Sequence, residues 1–137
     1  MTKLCPYLNF DGNARAAMEF YNSVFGGDLS VQTFGEAPID ASPEAADRVM
    51  HAAVFSDDIV LMASDTMPGM EHDPGSNVHL SLVGPDEPTL TGYFNSLADG
   101  GAVTMPLEKQ FWGDTFGMCT DKFGIHWMVN VGEFAPA

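Results

Sequence analysis

The stretch Leu4-Cys5-Pro6-Tyr7-Leu8-Asn9-Phe10-Asp11-Gly12-Asn13-Ala14, carried on through Phe20-Tyr21 and Val24-Phe25 to Gly26-Gly27, decides the fold. Leu4, Pro6, Leu8 and Phe10 alternate with Cys5, Tyr7 and Asn9, the period of two expected of a strand with unlike faces. Asp11-Gly12-Asn13 supplies turn and cap chemistry for a helix over 14–25, in which Ala17, Phe20, Tyr21 and Val24 fall on one apolar stripe. Gly26-Gly27 supplies a left-handed stop. Leu29 to Phe34 then reads as a second strand. Beyond a loop from Gly35 to about Asp47, which contains Pro38 and Pro43, come strand-like runs at Val49–Phe55 and Ile59–Ser64, joined by the turn Ser56-Asp57-Asp58. The order is βαβββ. Asp65 to Ser76, rich in Met, Pro, Gly and acid, reads as a connection.

The second half repeats the first. Val78–Gly84 is a strand pattern, Pro85-Asp86-Glu87-Pro88 opens a helix whose buried side is Leu90, Phe94 and Leu97, and Gly100-Gly101 closes it. Strands at Ala102–Met105, Thr115–Thr120 and Ile125–Val131 follow, with a loop through Glu108, Lys109 and Gln110 and a turn at Asp121-Lys122-Phe123-Gly124. The two glycine pairs stand 74 positions apart, and the same offset lays Leu4–Phe10 on Val78–Gly84 and Phe20 on Phe94. For the last strands the offset is 66, from Ile59 to Ile125. The expected fold is α+β: two βαβββ modules, about 1–70 and 77–137, forming a cupped mixed sheet with helices on its outer face, within one domain over 1–137.

Composition narrows the function. The chain has 137 residues, 45% hydrophobic and 18% charged, which suits one folded domain with a real core. A formal charge of −14 repels a phosphate backbone and an anionic membrane surface, so neither nucleic acid nor membrane is expected as a partner. Two cysteines, Cys5 and Cys119, make no disulfide framework. No basic stretch followed by an apolar one opens the chain, so a cytoplasmic location is expected.

Parity along the end strands separates two faces. One is greasy: Leu4, Pro6, Leu8 and Phe10; Ile59, Leu61 and Ala63; Val78, Leu80 and Leu82; Ile125, Trp127, Val129 and Val131. The other mixes Cys5, Tyr7 and Asn9 with Val60, Met62 and Ser64, and His79, Ser81 and Val83 with His126, Met128 and Asn130. Apolar walls with a few polar groups are the makings of a ligand pocket, and these twelve positions carry no Asp, Glu, Lys or Arg. The expected ligand-binding residues are Cys5, Tyr7, Asn9, Met62, Ser64, His79, Ser81, His126 and Met128. Phe111 and Trp112, ahead of Gly113, are expected to bring an aromatic pair to the same pocket.

Tyr7-Leu8-Asn9-Phe10-Asp11-Gly12-Asn13-Ala14, Phe20-Tyr21 with Val24-Phe25-Gly26-Gly27, Val49-Met50-His51-Ala52, Met105-Pro106-Leu107 through Gln110-Phe111-Trp112-Gly113-Asp114, and Asp121-Lys122-Phe123-Gly124-Ile125-His126-Trp127 together resemble the PhnB-like branch of the vicinal oxygen chelate superfamily. That superfamily includes glyoxalase I, extradiol dioxygenases and bleomycin-resistance proteins. Lys122 departs from the proline usual at its position. The resemblance implies a homodimer. It also implies metal ligands such as His, Gln or Glu on the first and last strands of each module in the metal-dependent members, at the places held here by Cys5, Met62, His79 and Met128. Of these only His79 is of the family's ligand type, so no catalytic metal and no other cofactor is expected. A thiol, an imidazole and two thioethers would suit a soft ion such as Cu(I), but methionine on a pocket wall more often serves as adaptable apolar lining.

The expected function is metal-independent binding of a small apolar or cationic molecule. The alternative is a glyoxalase or isomerase-type lyase acting on a vicinal-oxygen substrate, with His79 as the candidate catalytic base. The branch's 3-demethylubiquinone methyltransferase name fits the chain poorly, because no G-x-G-x-x-G loop follows a strand. His51, on an inner strand, is expected to pack, and Cys5 to be a quiet thiol.

Overall fold

The structure is a computed structural model that describes residues 2, 4–37, 42–57, 59–67 and 70–133. Its contacts divide the chain into two compact units, Met1–Pro74 and Gly75–Ala137. In the first, β1 (Tyr7–Phe10), α1 (Ala14–Phe25), β2 (Asp28–Thr33), β3 (Val49–Phe55) and β4 (Val60–Asp65) build a four-stranded sheet in the order β1-β4-β3-β2. In the second, β5 (Leu80–Gly84), α2 (Glu87–Ala98), β6 (Ala102–Lys109), β7 (Thr115–Thr120) and β8 (His126–Val131) build the order β5-β8-β7-β6. Each sheet has one parallel pair, β1 with β4 and β5 with β8, and is otherwise antiparallel. The fold is α+β and the βαβββ repeat is real, since Tyr7↔Met62 in one sheet corresponds to Ser81↔Met128 in the other at the offsets read from the sequence.

Each glycine pair does the same two jobs. Gly26 and Gly100 take φ of 75° and 80°, where a side chain is strained. Gly27 and Gly101 lie so close to the neighbouring strand that an added Cβ would collide with the carbonyl oxygen of Phe55 or of Thr120. The helix can therefore turn directly into a strand already paired with the end of β3 or β7.

The helices bury one side against one sheet face. In α1 the buried residues are Ala14, Ala17, Met18, Tyr21 and Phe25, while Phe20 and Val24 are half-buried, so the stripe is rotated from the expected one toward Met18. In α2 they are Leu90, Phe94 and Leu97, as the periodicity predicts. Leu8, Phe10, Leu61, Ala63, Trp127 and Val129 meet them from the sheets.

Four details differ from the sequence reading. β1 starts at Tyr7, with Leu4 fully exposed, because Pro6 has no N–H to donate and contributes only its carbonyl, which accepts from Met62 N at 3.2 Å. β5 starts at Leu80, where its ladder with Trp127 begins, which leaves Val78 and His79 ahead of the strand. β6 runs on through Glu108 and Lys109, because the sheet absorbs Pro106 with register breaks between Val103 and Met105 and between Met105 and Glu108. Asn13 makes no side-chain cap; instead the buried Asp65, last residue of β4 rather than part of a linker, accepts from Gly12 N and Ala14 N at 2.9 Å each. Pro38 and Asp58 lie outside the described residues.

Replacing Gly27 by alanine is predicted to cost about 2–5 kcal/mol, from positive-φ strain and overpacking against backbone together, and Gly101 by alanine about 1–3 kcal/mol, from overpacking alone. Alanine at Gly26, which has open space around its Cβ, should cost about 1–2 kcal/mol. Urea unfolding monitored by circular dichroism reads the difference as a lower midpoint.

Candidate functional site

In the first unit the face away from α1 carries Tyr7, Asn9, Met62 and Ser64 side by side, because register sets Tyr7 opposite Met62 and Asn9 opposite Ser64. Tyr7 is 47% exposed and Asn9 exposed, whereas Met62 and Ser64 are half-buried. Ser64 Oγ stands 3.5 Å from Asn9 Oδ1. Cys5, just before β1, donates its thiol proton to the Pro6 carbonyl at 3.4 Å and the Val60 carbonyl at 3.6 Å. The His72 ring reaches back to the Asn9 carbonyl, Nε2 to oxygen 3.0 Å. Nearby, the Arg48 guanidinium donates to Asp11 at 2.8 Å and holds that carboxyl below its ordinary range.

His51 belongs to this face. Ala53 on β3 faces Met62, and His51, two residues earlier, points the same way and meets Tyr7 across β4, Nδ1 to Oη 3.1 Å. The rings lie 5.8 Å apart, tilted by 32°. Sequence parity does not reveal it, because Val49, Ala53 and Phe55 on one side of β3 and Met50, Ala52 and Val54 on the other are apolar alike.

In the second unit the corresponding face has two rows. His126 faces Thr120, with Nδ1 and Oγ1 2.9 Å apart, and the His79 ring lies 5.2 Å from that of His126. The next row is Ser81, Met128, Met118 and Met105, successive partners across β5, β8, β7 and β6. Thr120, Met118, Met105 and Phe116 are additions to the residues singled out from sequence. They lie on β6 and β7, the middle strands of the module in chain order. Trp112 stands at the tip of the β6–β7 hairpin, closed by Gln110 N to Asp114 O at 2.8 Å, and packs edge-on against Phe116 with centroids 6.0 Å apart. Phe111 leans perpendicular to Trp112 at 5.1 Å and is 96% exposed. Asp114 is held by Asn130 Nδ2 at 2.9 Å, and Glu108, on β6, faces Phe116.

The places to which the resemblance assigns metal ligands, Cys5 and Met62 in one unit and His79 and Met128 in the other, include no carboxylate. Among the described residues no group of three or more His, Cys, Asp and Glu side chains is placed to hold a metal ion. No helix among them is long and apolar enough to cross a membrane.

Two modules of this topology with open, mixed sheet faces define a class, and comparison with known proteins gives it a name. Residues 6–129 match the model of the Glyoxalase/Bleomycin resistance protein/Dioxygenase superfamily, and the chain belongs to that superfamily, in its PhnB-like branch. It is 33% identical to protein YjdN of Escherichia coli, over 97% of each chain. Among solved structures it is similar to protein PA1353 from Pseudomonas aeruginosa, at 38% identity and a TM-score of 0.87, covering 98% of this chain and all of that one. It is also similar to a PhnB protein from Bacillus cereus that carries the name 3-demethylubiquinone-9 3-methyltransferase, at 26% identity and a TM-score of 0.75, covering 96% and 100%.

Cys119, on β7, points into the core beside Trp127 and is 1% exposed. Burial, helped by the Asp121 carboxylate, pushes its thiol from 9.0 up to about 11. The folded protein therefore holds this proton more tightly than the unfolded chain does, and the stability this gives is complete below pH 9.0 and lost as pH rises toward 11. The expected outcome is that wild type loses more stability than Cys119→Ala over that interval, measured by urea midpoints at each pH. At neutral pH, iodoacetamide should label Cys5 before Cys119.

Proposed function

We propose that this PhnB-like protein binds a small apolar or cationic molecule on its open sheet faces without using a metal. Cys5, Tyr7, Asn9, Met62 and Ser64 serve as contacts on one unit, and His79, Ser81, Phe111, Trp112, His126 and Met128 on the other. The observation that carries this reading is the donor set at the superfamily's metal positions. One imidazole, a thiol that already donates to carbonyl oxygens and two thioethers offer none of the carboxylate oxygens that a divalent ion of the Zn, Mn or Ni kind takes alongside imidazole. The residues do not fit that ion. What they do offer is adaptable thioether surface, aromatic edges and scattered hydrogen-bonding groups, which is the chemistry of a pocket that accommodates rather than transforms. The charge of −14 favours neutral and cationic ligands over anionic ones. Cytoplasmic residence and pairing of two copies, both implied by sequence and resemblance, belong to the same proposal.

One observation favours a second reading, an isomerase-type reaction on a vicinal-oxygen substrate: the Thr120 hydroxyl fixes the orientation of His126 beside His79, and an oriented imidazole is a competent proton acceptor. The Bacillus cereus neighbour's methyltransferase name fits this chain poorly, since no G-x-G-x-x-G loop follows a strand in it.

Trp127 is buried and Trp112 half-exposed, so intrinsic fluorescence reports on the hairpin tip. A screen of neutral and cationic aromatic compounds against metal-stripped protein is expected to find saturable quenching that disappears in Trp112→Phe and survives His79→Ala. Binding or turnover that needs added Ni(II), Zn(II) or Mn(II) and is abolished in His79→Ala would establish the second reading instead.

A further inference from the structure

The hydrogen bond between Tyr7 and His51 is a side-chain pair on the first unit's open face in which both partners keep a polar group for something else. It bridges β1 and β3 over β4, beside the row Tyr7, Met62 and Ala53, in which Ala53 is buried. A neutral imidazole nitrogen is a better acceptor than a phenol oxygen, and a phenol is a good donor, so the proton between them belongs to Tyr7 Oη and Nδ1 accepts it. The ring's own proton then sits on Nε2. No acceptor among the described residues takes it, and no buried side-chain nitrogen or oxygen among them lacks a partner, so this donor reaches solvent and is available to a ligand. Around it lie the Met62 thioether and, by the register Ala52↔Ala63, the Ser64 side chain.

The geometry points to the Tyr7–His51 pair as the polar anchor of the first unit's face, presenting His51 Nε2–H to a neutral hydrogen-bond-accepting oxygen, a carbonyl or an ether, on an otherwise apolar ligand. This rests on the small-molecule reading above and deepens it. A carboxylate would satisfy the same donor but meets the field of a chain with net charge −14. A ligand whose polar end only donates finds no acceptor at Nε2. The phenol oxygen, with Nδ1 taking its proton, keeps lone pairs for a donor on the same ligand, so the pair reads an acceptor first and a neighbouring hydroxyl second.

The test uses two probes of one shape, benzamide, which carries a carbonyl, and benzylammonium, which carries only donors. Both are titrated at about pH 8, above the ordinary imidazole range, into protein labelled with nitrogen-15 at histidine and carbon-13 at methionine methyls. In the free protein the unprotonated nitrogen of His51 is expected to be Nδ1. Benzamide should move the His51 Nε2 and Met62 methyl signals together, benzylammonium should leave His51 in place, and Tyr7→Phe should weaken benzamide binding about fivefold, the effect of one neutral hydrogen bond. The proposal is overturned by a His51 proton on Nδ1, by benzylammonium moving His51 as far as benzamide does, or by unchanged benzamide binding in Tyr7→Phe. If benzamide moves Met62 but not His51, the anchor alone is wrong. If neither probe moves either signal, the small-molecule reading of this face falls with it.

Discussion

The first unit is organised around a single buried carboxylate. Asp65 Oδ1 accepts from Gly12 N and Ala14 N, and Oδ2 from Val49 N, all at 2.9 Å. Three elements that are far apart in sequence, the start of α1, the start of β3 and the end of β4, are therefore pinned to one side chain that is 4% exposed. Buried backbone donors have to find acceptors, and a carboxylate at the first turn of a helix also meets the positive end of its dipole. The second unit solves a similar problem with a different residue in a different place: Asp121 accepts from Phe123 N, Ile125 N and Trp127 Nε1, closing the β7–β8 turn and anchoring the largest core side chain. The backbone plan is repeated between the modules, while the polar fastenings are not.

That divergence extends to the open faces. Positions equivalent through the repeat hold Tyr7 and Ser81, Cys5 and His79, Val60 and His126. Met62 and Met128 are the same residue at the same place in the ladder. A methionine kept at the centre of each face while its surroundings differ gives each unit its own polar partner: a phenol hydrogen-bonded to an imidazole in one, two imidazoles and a threonine hydroxyl in the other.

Much of the fold was legible because its signals are local. The 3.6-residue period of α2 placed Leu90, Phe94 and Leu97 in the core, Thr115–Thr120 and Val49–Phe55 were bounded as found, and the glycine pairs marked both helix ends. The failures came where a distant partner decides the outcome. Asn13 has the chemistry of a cap but loses the position to Asp65, 51 residues from Ala14, and Pro106, which locally ends a strand, is carried by bulges because β7 continues beside it. The site divides in the same way. The first and last strands of each module gave up their mixed face to simple parity, whereas His51 on β3 and Met118 and Phe116 on β7 alternate with residues of much the same polarity, and only the register shows which way they point.

The outer edge of the second sheet is an eight-residue strand whose side chains are nearly all exposed, with Val103 at 51% and Met105 at 40%. A long, apolar, unpaired edge ordinarily invites another chain to add to it and begin an insoluble stack. Here Pro106 removes one donor from the middle of that edge, and the two register breaks around it bend the remaining ones out of line. The bulged proline thus keeps the exposed Val103 and Met105 from forming part of a regular edge that another chain could extend.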